Sequence, residues 1–434
     1  MIVEQKRTVG TVRSPSNVPE DAMASTAVAQ PPAVRTAHPQ AWSYMLLLAL
    51  LALALGCSGL PSPLYPIYQS EWHMTPLTIT IVFAVYAVGA LGSALTVGPI
   101  SDAVGRKPVL IAALVSILAG LGLFLIATNA WELMLARFLH GSAIGAITVV
   151  AGAALLDVRP HDGARNGMAS GIALNVGITI TVFGAAAAAQ WAANPLRVPF
   201  AIVGAVVVLM LVAVIVLVEP HTERTGGRVR LQRPSIPKEI ATDFWFSGIG
   251  IMTAWSVLGV FLSLYPALTQ HATGHTSVIF VGVVVAVMAA ASAASQWIGG
   301  RLDPRTAAIT GDLGMIVALL SAIWALHTGS TTFVIVDSIV LGAAFGLAFG
   351  GSLRHLNDVA PADARGRVMS AYYLLGYLAM GVPTVIAGAL SSSFGTAEVF
   401  PWFAAAVAAA CFAAAVLGLR GRREAQSDLE QTRS

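Results

Sequence analysis

Charge is what this 434-residue chain has least of. Asp, Glu, Lys and Arg together make up 10% of it, where soluble domains carry about 25%. A soluble protein of this size could not cover its surface with so few polar groups, so a large water-soluble enzyme or binding domain is excluded. Cysteine is nearly absent as well. Cys57 and Cys411 both sit inside apolar runs, where buried small hydrophobes explain them and a disulfide or metal site has no support. No Gly-x-x-x-x-Gly-Lys-Ser/Thr loop cradles a phosphate, and no feature points to covalent chemistry. The chain is therefore not expected to be an enzyme or to hold a cofactor.

What is abundant is apolar sequence: 56% of residues are hydrophobic. From Ala41 to Ser70 none is charged, and from His73 to Ser101 none is either. Crossing the hydrocarbon takes roughly 20 apolar residues at about 1.5 Å each. Twelve crossings are expected, near 43–66, 76–99, 108–128, 132–156, 166–189, 198–218, 243–267, 276–299, 306–326, 332–354, 368–391 and 397–419. The tracts do not alternate and are about twice as long as the strands of a membrane β-barrel. Residues 1–40 are polar and proline-scattered and read as a disordered tail, with no cleavable signal after them.

Basic residues fall on one side of this pattern. With the N-terminus inside, internal links hold Arg106 and Lys107, Arg159 and Arg165, Arg224 to Lys238, Arg301 and Arg305, and Arg365 and Arg367, while opposite links hold only Arg197. Both termini are therefore expected in the cytoplasm. The net charge of +3 then reflects orientation in a lipid bilayer and offers no groove for nucleic acid.

The polar stretch ERTGGRVRLQRPSIPKE, residues 223–239, divides the chain. The expected organisation is a tail (1–40), a six-helix bundle (41–218), a linker (219–240), a second six-helix bundle (241–419) and a short tail (420–434). A repeat supports it. Gly98 and Asp102 recur as Gly299 and Asp303, and Asp157, Pro160 and Met168 recur as Asp358, Pro361 and Met369, all 201 residues later. Two loops agreeing on one offset point to parallel repeats, able to rock around a midplane site.

Over residues 41–420 the chain resembles the major facilitator superfamily. The link after the second crossing, GPISDAVGRKP, matches the family's loop signature at Gly98, Asp102, Gly105, Arg106 and Lys107, with Ala103 in its first basic position. Arg137 and Gly141 in RFLHG match its fourth-crossing signature, with His140 where glutamine is commoner. The glycine–proline pattern of drug–proton antiporters is missing from the fifth crossing. The resemblance implies an all-α, twelve-helix fold that works by alternating access. It also implies a conformational latch in which Asp102 meets the start of the eleventh crossing and neighbours such as Arg106 and Asp157. Asp303 and Arg305 form its partial second copy. The plainer alternative is that these charges only set topology and solubilise a turn.

Two charges stand inside apolar tracts, Arg137 in the fourth crossing and Asp337 in the tenth. An isolated charge near a helix centre costs roughly 2.5–3.5 kcal/mol on insertion scales, so each is expected to turn from lipid. By the resemblance both would line the central cavity, Arg137 orienting substrate or gating protons and Asp337 titrating. A fixed structural bridge, or an Asp337 near the headgroups, is the alternative. His140 reads as a proton carrier or a packed neutral ring. Asp312 reads as interfacial or as a helix contact. Tyr65 and Tyr68, beside Pro61, Pro63 and Pro66, read as path-facing or as an interfacial belt. Tyr86, Asn175, Trp255 and Tyr265 are further cavity candidates.

The expected function is secondary transport in a bacterial plasma membrane by a chain functional as a monomer, with protons as coupling ion and small amphipathic molecules exported. Proton-coupled uptake of a metabolite such as an organic anion is one alternative, and a non-transporting receptor or scaffold is another.

Overall fold

The computed structural model describes residues 42–160, 162–221, 234–361 and 364–433. The expected N-terminal tail and most of the linker, with Arg224, Arg228, Arg230 and Arg233, lie outside them. Among the described residues the regular structure is helical. It comprises α1 (Ser43–Gly59), α2 (Tyr65–Trp72), α3 (Pro76–Val104), α4 (Arg106–Ile126), α5 (Ala130–Val158), α6 (Gly163–Trp191) and α7 (Val198–Val216). After the linker come α8 (Ala241–Ser263), α9 (Tyr265–Thr273), α10 (Val278–Gly299), α11 (Pro304–Thr328), α12 (Thr331–Val359), α13 (Arg365–Phe394) and α14 (Thr396–Arg433). Among the described residues twelve segments are long and apolar enough to cross a membrane.

Several helices overrun the expected ends. α3, α5, α6 and α12 have 29 residues each, about 44 Å of helix against a hydrocarbon core of roughly 30 Å. The apolar tract marks the part in lipid, whereas the helix runs on until a capping signal stops it. Those signals are local. Thr75, Asn129, Asp303 and Ser330 accept the backbone N–H of Thr78, Glu132, Thr306 and Phe333, satisfying donors that a helix start leaves open. Gly105 ends α3 at φ 105°, a conformation that penalises side chains.

Neighbouring helices approach through small residues. A Cβ at Gly141 would lie 2.1 Å from the Tyr86 carbonyl oxygen, and one at Gly342 2.1 Å from that of Met288. Gly145 and Gly346 repeat the pattern one turn on, against Ala90 and Ser292. Thus α5 packs on α3, and α12 on α10, through glycine pairs at equivalent repeat positions, the small-xxx-small arrangement that lets membrane helices touch.

The first six crossings meet the last six chiefly through α3 with α13 and α6 with α10. The Leu77 N–H donates to Ser392 Oγ at 3.0 Å, and Gly388 sits against Thr80. Gln190 Oε1 accepts from the Ser277 hydroxyl and the Val278 N–H at 3.1 and 2.9 Å. These contacts lie at the end of the helices opposite Gly105.

Candidate functional site

Burial along this seam is graded. α3 is well buried between Ile79 and Ala90, yet none of the ten residues 91–100 is buried. In α6 the eight residues 167–174 are likewise all accessible, while Gly177, Ile178, Val182 and Ala186 are buried. Ten residues cover every face of α3, so its exposure includes the side toward α13, whereas α6 still meets α10 where Met168 and Gly171 face Gly300 and Gln296. The seam is tight at the end holding Leu77 and Ser392 and loosens along α3 toward the end holding Gly105.

At its tight part stands a group of aromatic rings. Trp255 on α8 packs against Tyr377 on α13 at 4.8 Å between ring centroids, and against Phe349 and Tyr373 at 6.0 and 6.3 Å. Tyr86 on α3 interacts with Tyr377 across the seam. Asn175 lines a small adjoining void of about 10 Å³ with Leu258, Met288 and Phe345, room for about one water.

Arg137 is held beside these rings. Its side chain is 1% exposed. Nη1 donates to the Ser58 carbonyl at 2.9 Å, and Nη2 to the Tyr65 hydroxyl at 3.0 Å. The guanidinium carbon lies 5.6 Å from the Phe83 ring and 5.2 Å from that of Tyr86, within cation–π range. The proline-rich break between α1 and α2 makes this possible, presenting a helix-terminal carbonyl and Tyr65 to one cation. Tyr68 is also buried and meets Trp72 edge-to-face at 4.9 Å, so neither tyrosine forms an exposed interfacial belt.

Asp337 lies in a different setting. Oδ1 accepts from Ser321 of α11, while Oδ2 is buried without a hydrogen-bond partner. Arg137 and Asp337 are therefore not a structural bridge to each other, and Asp337 leans on α11, a helix outside the expected cavity-lining set. Tyr265 stacks on Phe261 at 4.4 Å, and its hydroxyl is buried without a partner. His140 is fully buried against Phe124, with both ring nitrogens unpartnered, as a packed neutral ring would be. Asp312 is 1% exposed, which removes the interfacial reading.

The loop charges form two clusters. In the first, Arg106 Nη1 reaches Asp102 at 2.5 Å and Nε reaches Asp157 at 3.1 Å. The carboxylate of Glu219 accepts the backbone N–H of Arg106 and Lys107 at 2.8 and 3.1 Å, capping α4. Gly105 leaves room for it, since a Cβ there would lie 2.6 Å from Glu219 Oε2. Gly98 packs near Val149. In the second cluster Arg305 and His355 both bind Asp243, while Asp303 caps α11 through the Thr306 N–H at 2.8 Å. Glu219, Asp243 and His355 were not among the sequence candidates. None belongs to a recognisable local motif, and only folding unites each with partners about fifty or more residues away.

The two halves also share a tripeptide. Leu64-Tyr65-Pro66 returns as Leu264-Tyr265-Pro266, and each tripeptide starts the short helix after a break, α2 and α9.

Comparison with known proteins gives a consistent picture. The family model of the Major Facilitator Superfamily matches residues 45–384. The chain is 25% identical over 353 residues to the uncharacterized MFS-type transporter YceJ of Bacillus subtilis, covering 76% of this chain and 85% of that protein. It is 24% identical to the quinolone resistance protein NorA of Staphylococcus aureus, over 54% of this chain and 60% of NorA. It is 25% identical to the multidrug resistance protein MdtL of Salmonella heidelberg, over 70% and 77%. The crystal structure of the nucleoside transporter NupG superposes with a TM-score of 0.69 at 11% identity, covering 86% of this chain and 98% of NupG, a likeness of fold alone. Twelve membrane-crossing helices, a fold shared with a solved transporter and a family match over most of its length make this chain a transporter of the major facilitator superfamily.

Proposed function

We propose that this transporter exports small, aromatic or amphipathic molecules in exchange for protons. The observation that carries the reading is the aromatic group at the tight part of the seam, Tyr86 from the first six crossings with Trp255, Phe349, Tyr373 and Tyr377 from the last six. Rings contributed by both halves offer stacking surface to a flat apolar ligand and separate when the halves rock. Two of the relatives are named for drug resistance, which fits the same ligand class. The basic residues at the Gly105 end, with Arg197 alone opposite among the described residues, orient that end to the cytoplasm. The loosened end of the seam then faces the cell interior, where an export cycle loads its cargo. Asp337, with one carboxylate oxygen unpartnered, is the group that exchanges the proton, and the Arg106 cluster stabilises one of the two conformations.

Uptake of an organic anion held by Arg137 is disfavoured by geometry. The guanidinium is 1% exposed, and both terminal nitrogens already donate within the protein.

The test is flux in proteoliposomes. A fluorescent lipophilic aromatic dye is expected to move against its gradient when a pH difference is imposed, and to stop when an uncoupler collapses it. Dye movement indifferent to the pH difference overturns proton coupling. No movement of any aromatic probe overturns the ligand class.

A further inference from the structure

Asp312 is a carboxylate with nothing to hold it. It lies about a third of the way along α11, is 1% exposed, and neither of its oxygens has a hydrogen-bond partner. An ionised carboxylate in such a place would lose several kcal/mol of solvation with no compensation. The titratable groups that interact with it are the Tyr372 hydroxyl of α13 and the Cys411 thiol of α14, and neither supplies a positive charge. On α8 and α12, Asp243 and His355 are engaged with each other and with Arg305. Asp337 of α12 is engaged with Ser321, and His271 of α9 is exposed.

Polar groups are spaced between this acid and the Gly105 end of the molecule. Arg305 precedes Asp312 by seven residues, two turns back on the same helix face. His355, bound to Asp243 at 2.8 Å, sits one turn from Ser352 on α12. The Ser352 hydroxyl meets the Tyr372 hydroxyl at 3.0 Å, and Tyr372 lies within electrostatic reach of Asp312 without a hydrogen bond to it.

We propose that Asp312 is a second proton-binding site, enclosed within the last six crossings and loaded from the Asp243–Arg305–His355 cluster through Ser352 and Tyr372. This rests on the proton-coupled reading above and adds a site away from the aromatic group. The step is a transfer of one proton from water to the carboxylate, released again when the helices around α11 part.

Infrared spectroscopy of the purified protein tests proton binding without transport. In an Asp337→Asn background, which removes the other buried acid among the described residues, the protein is expected to show the band of a protonated carboxylic acid in a dry setting, and adding Asp312→Asn to remove it. Because asparagine is uncharged and of the same shape, the Asp312→Asn variant is expected to fold, with thermal stability that falls less than wild type's as the pH rises. In proteoliposomes, Asp312→Asn is expected to lose accumulation driven by the pH difference, and His355→Gln to slow it. A band that persists when Asp312→Asn is added overturns the site. A band that vanishes while gradient-driven accumulation stays at the wild-type level reduces Asp312 to a structural acid and overturns its role in coupling. If wild type itself shows no gradient-driven flux, the coupling reading fails, while the infrared result still decides whether Asp312 holds a proton.

Discussion

The Tyr65–Arg137 and Tyr265–Asp337 regions begin from the same design and end in opposite chemistry. Each has a helix broken before a Leu-Tyr-Pro tripeptide, a short helix after it, and a charged residue at nearly the same repeat position of a neighbouring helix. In the first region both terminal nitrogens of Arg137 are engaged, donating to Ser58 and Tyr65 with two rings beside the guanidinium, and only its Nε lacks a hydrogen-bond partner. In the second, Asp337 has one partner and one bare oxygen, and the Tyr265 hydroxyl has none. A buried group with unused hydrogen-bonding capacity is unstable as an ion and responds to any change around it. A cation held by two hydrogen bonds and two rings is the more fixed of the two. The halves have diverged into a fixed side and a responsive side.

Replacing Arg137 breaks the fixed side most. Arg137→Lys keeps the charge but cannot serve both acceptors with a planar fork. Losing hydrogen bonds to a charged group costs about 1.5–3 kcal/mol, so transport rate in proteoliposomes is expected to fall about ten- to a hundredfold. Next comes a paired test. Tyr65→Phe removes the acceptor of Arg137 and is expected to lower stability by about 1.5–3 kcal/mol. Tyr265→Phe removes a hydroxyl that bonds to nothing and is expected to stay within about 0.5 kcal/mol. Chemical denaturation of the two variants measures the contrast, and equal costs would erase it.

Packing, unlike chemistry, is expected to remain symmetric. Gly141→Ala and Gly342→Ala each force a methyl onto a backbone oxygen, so each is expected to cost about 1–3 kcal/mol, read as similar drops in thermal unfolding temperature. The smallest effect is expected at Glu219. Glu219→Gln leaves a weaker, neutral cap on α4, costing about 0.5–1 kcal/mol, with the loss shrinking in high salt.

Much of the fold was legible because lipid imposes a simple rule: no backbone group can go unpaired, so charge-free tracts of sufficient length become helices. The expected crossings therefore matched in number and order. Their ends did not match, because Asn129 and Asp303 stop helices by capping while hydropathy marks only the lipid boundary. The site was legible in part. Arg137 and Tyr65 stood out as a lone charge and as a tyrosine among prolines, yet nothing in the sequence indicated that they bond to each other. Asp312 was visible as a charge in an apolar tract, but interfacial and buried placements look alike until the neighbouring helices are in place. Glu219 and His355 carry no local pattern at all.

The division between a fixed cation and a responsive acid is tested most directly by pH profiles of transport for wild type, Arg137→Lys and Asp337→Asn, measured in proteoliposomes under the same imposed gradient. The expected result is that Arg137→Lys lowers the whole profile without changing its shape, whereas Asp337→Asn changes the shape. If the Asp337→Asn profile superposes on wild type after scaling, or if Arg137→Lys alters the shape, the division is contradicted.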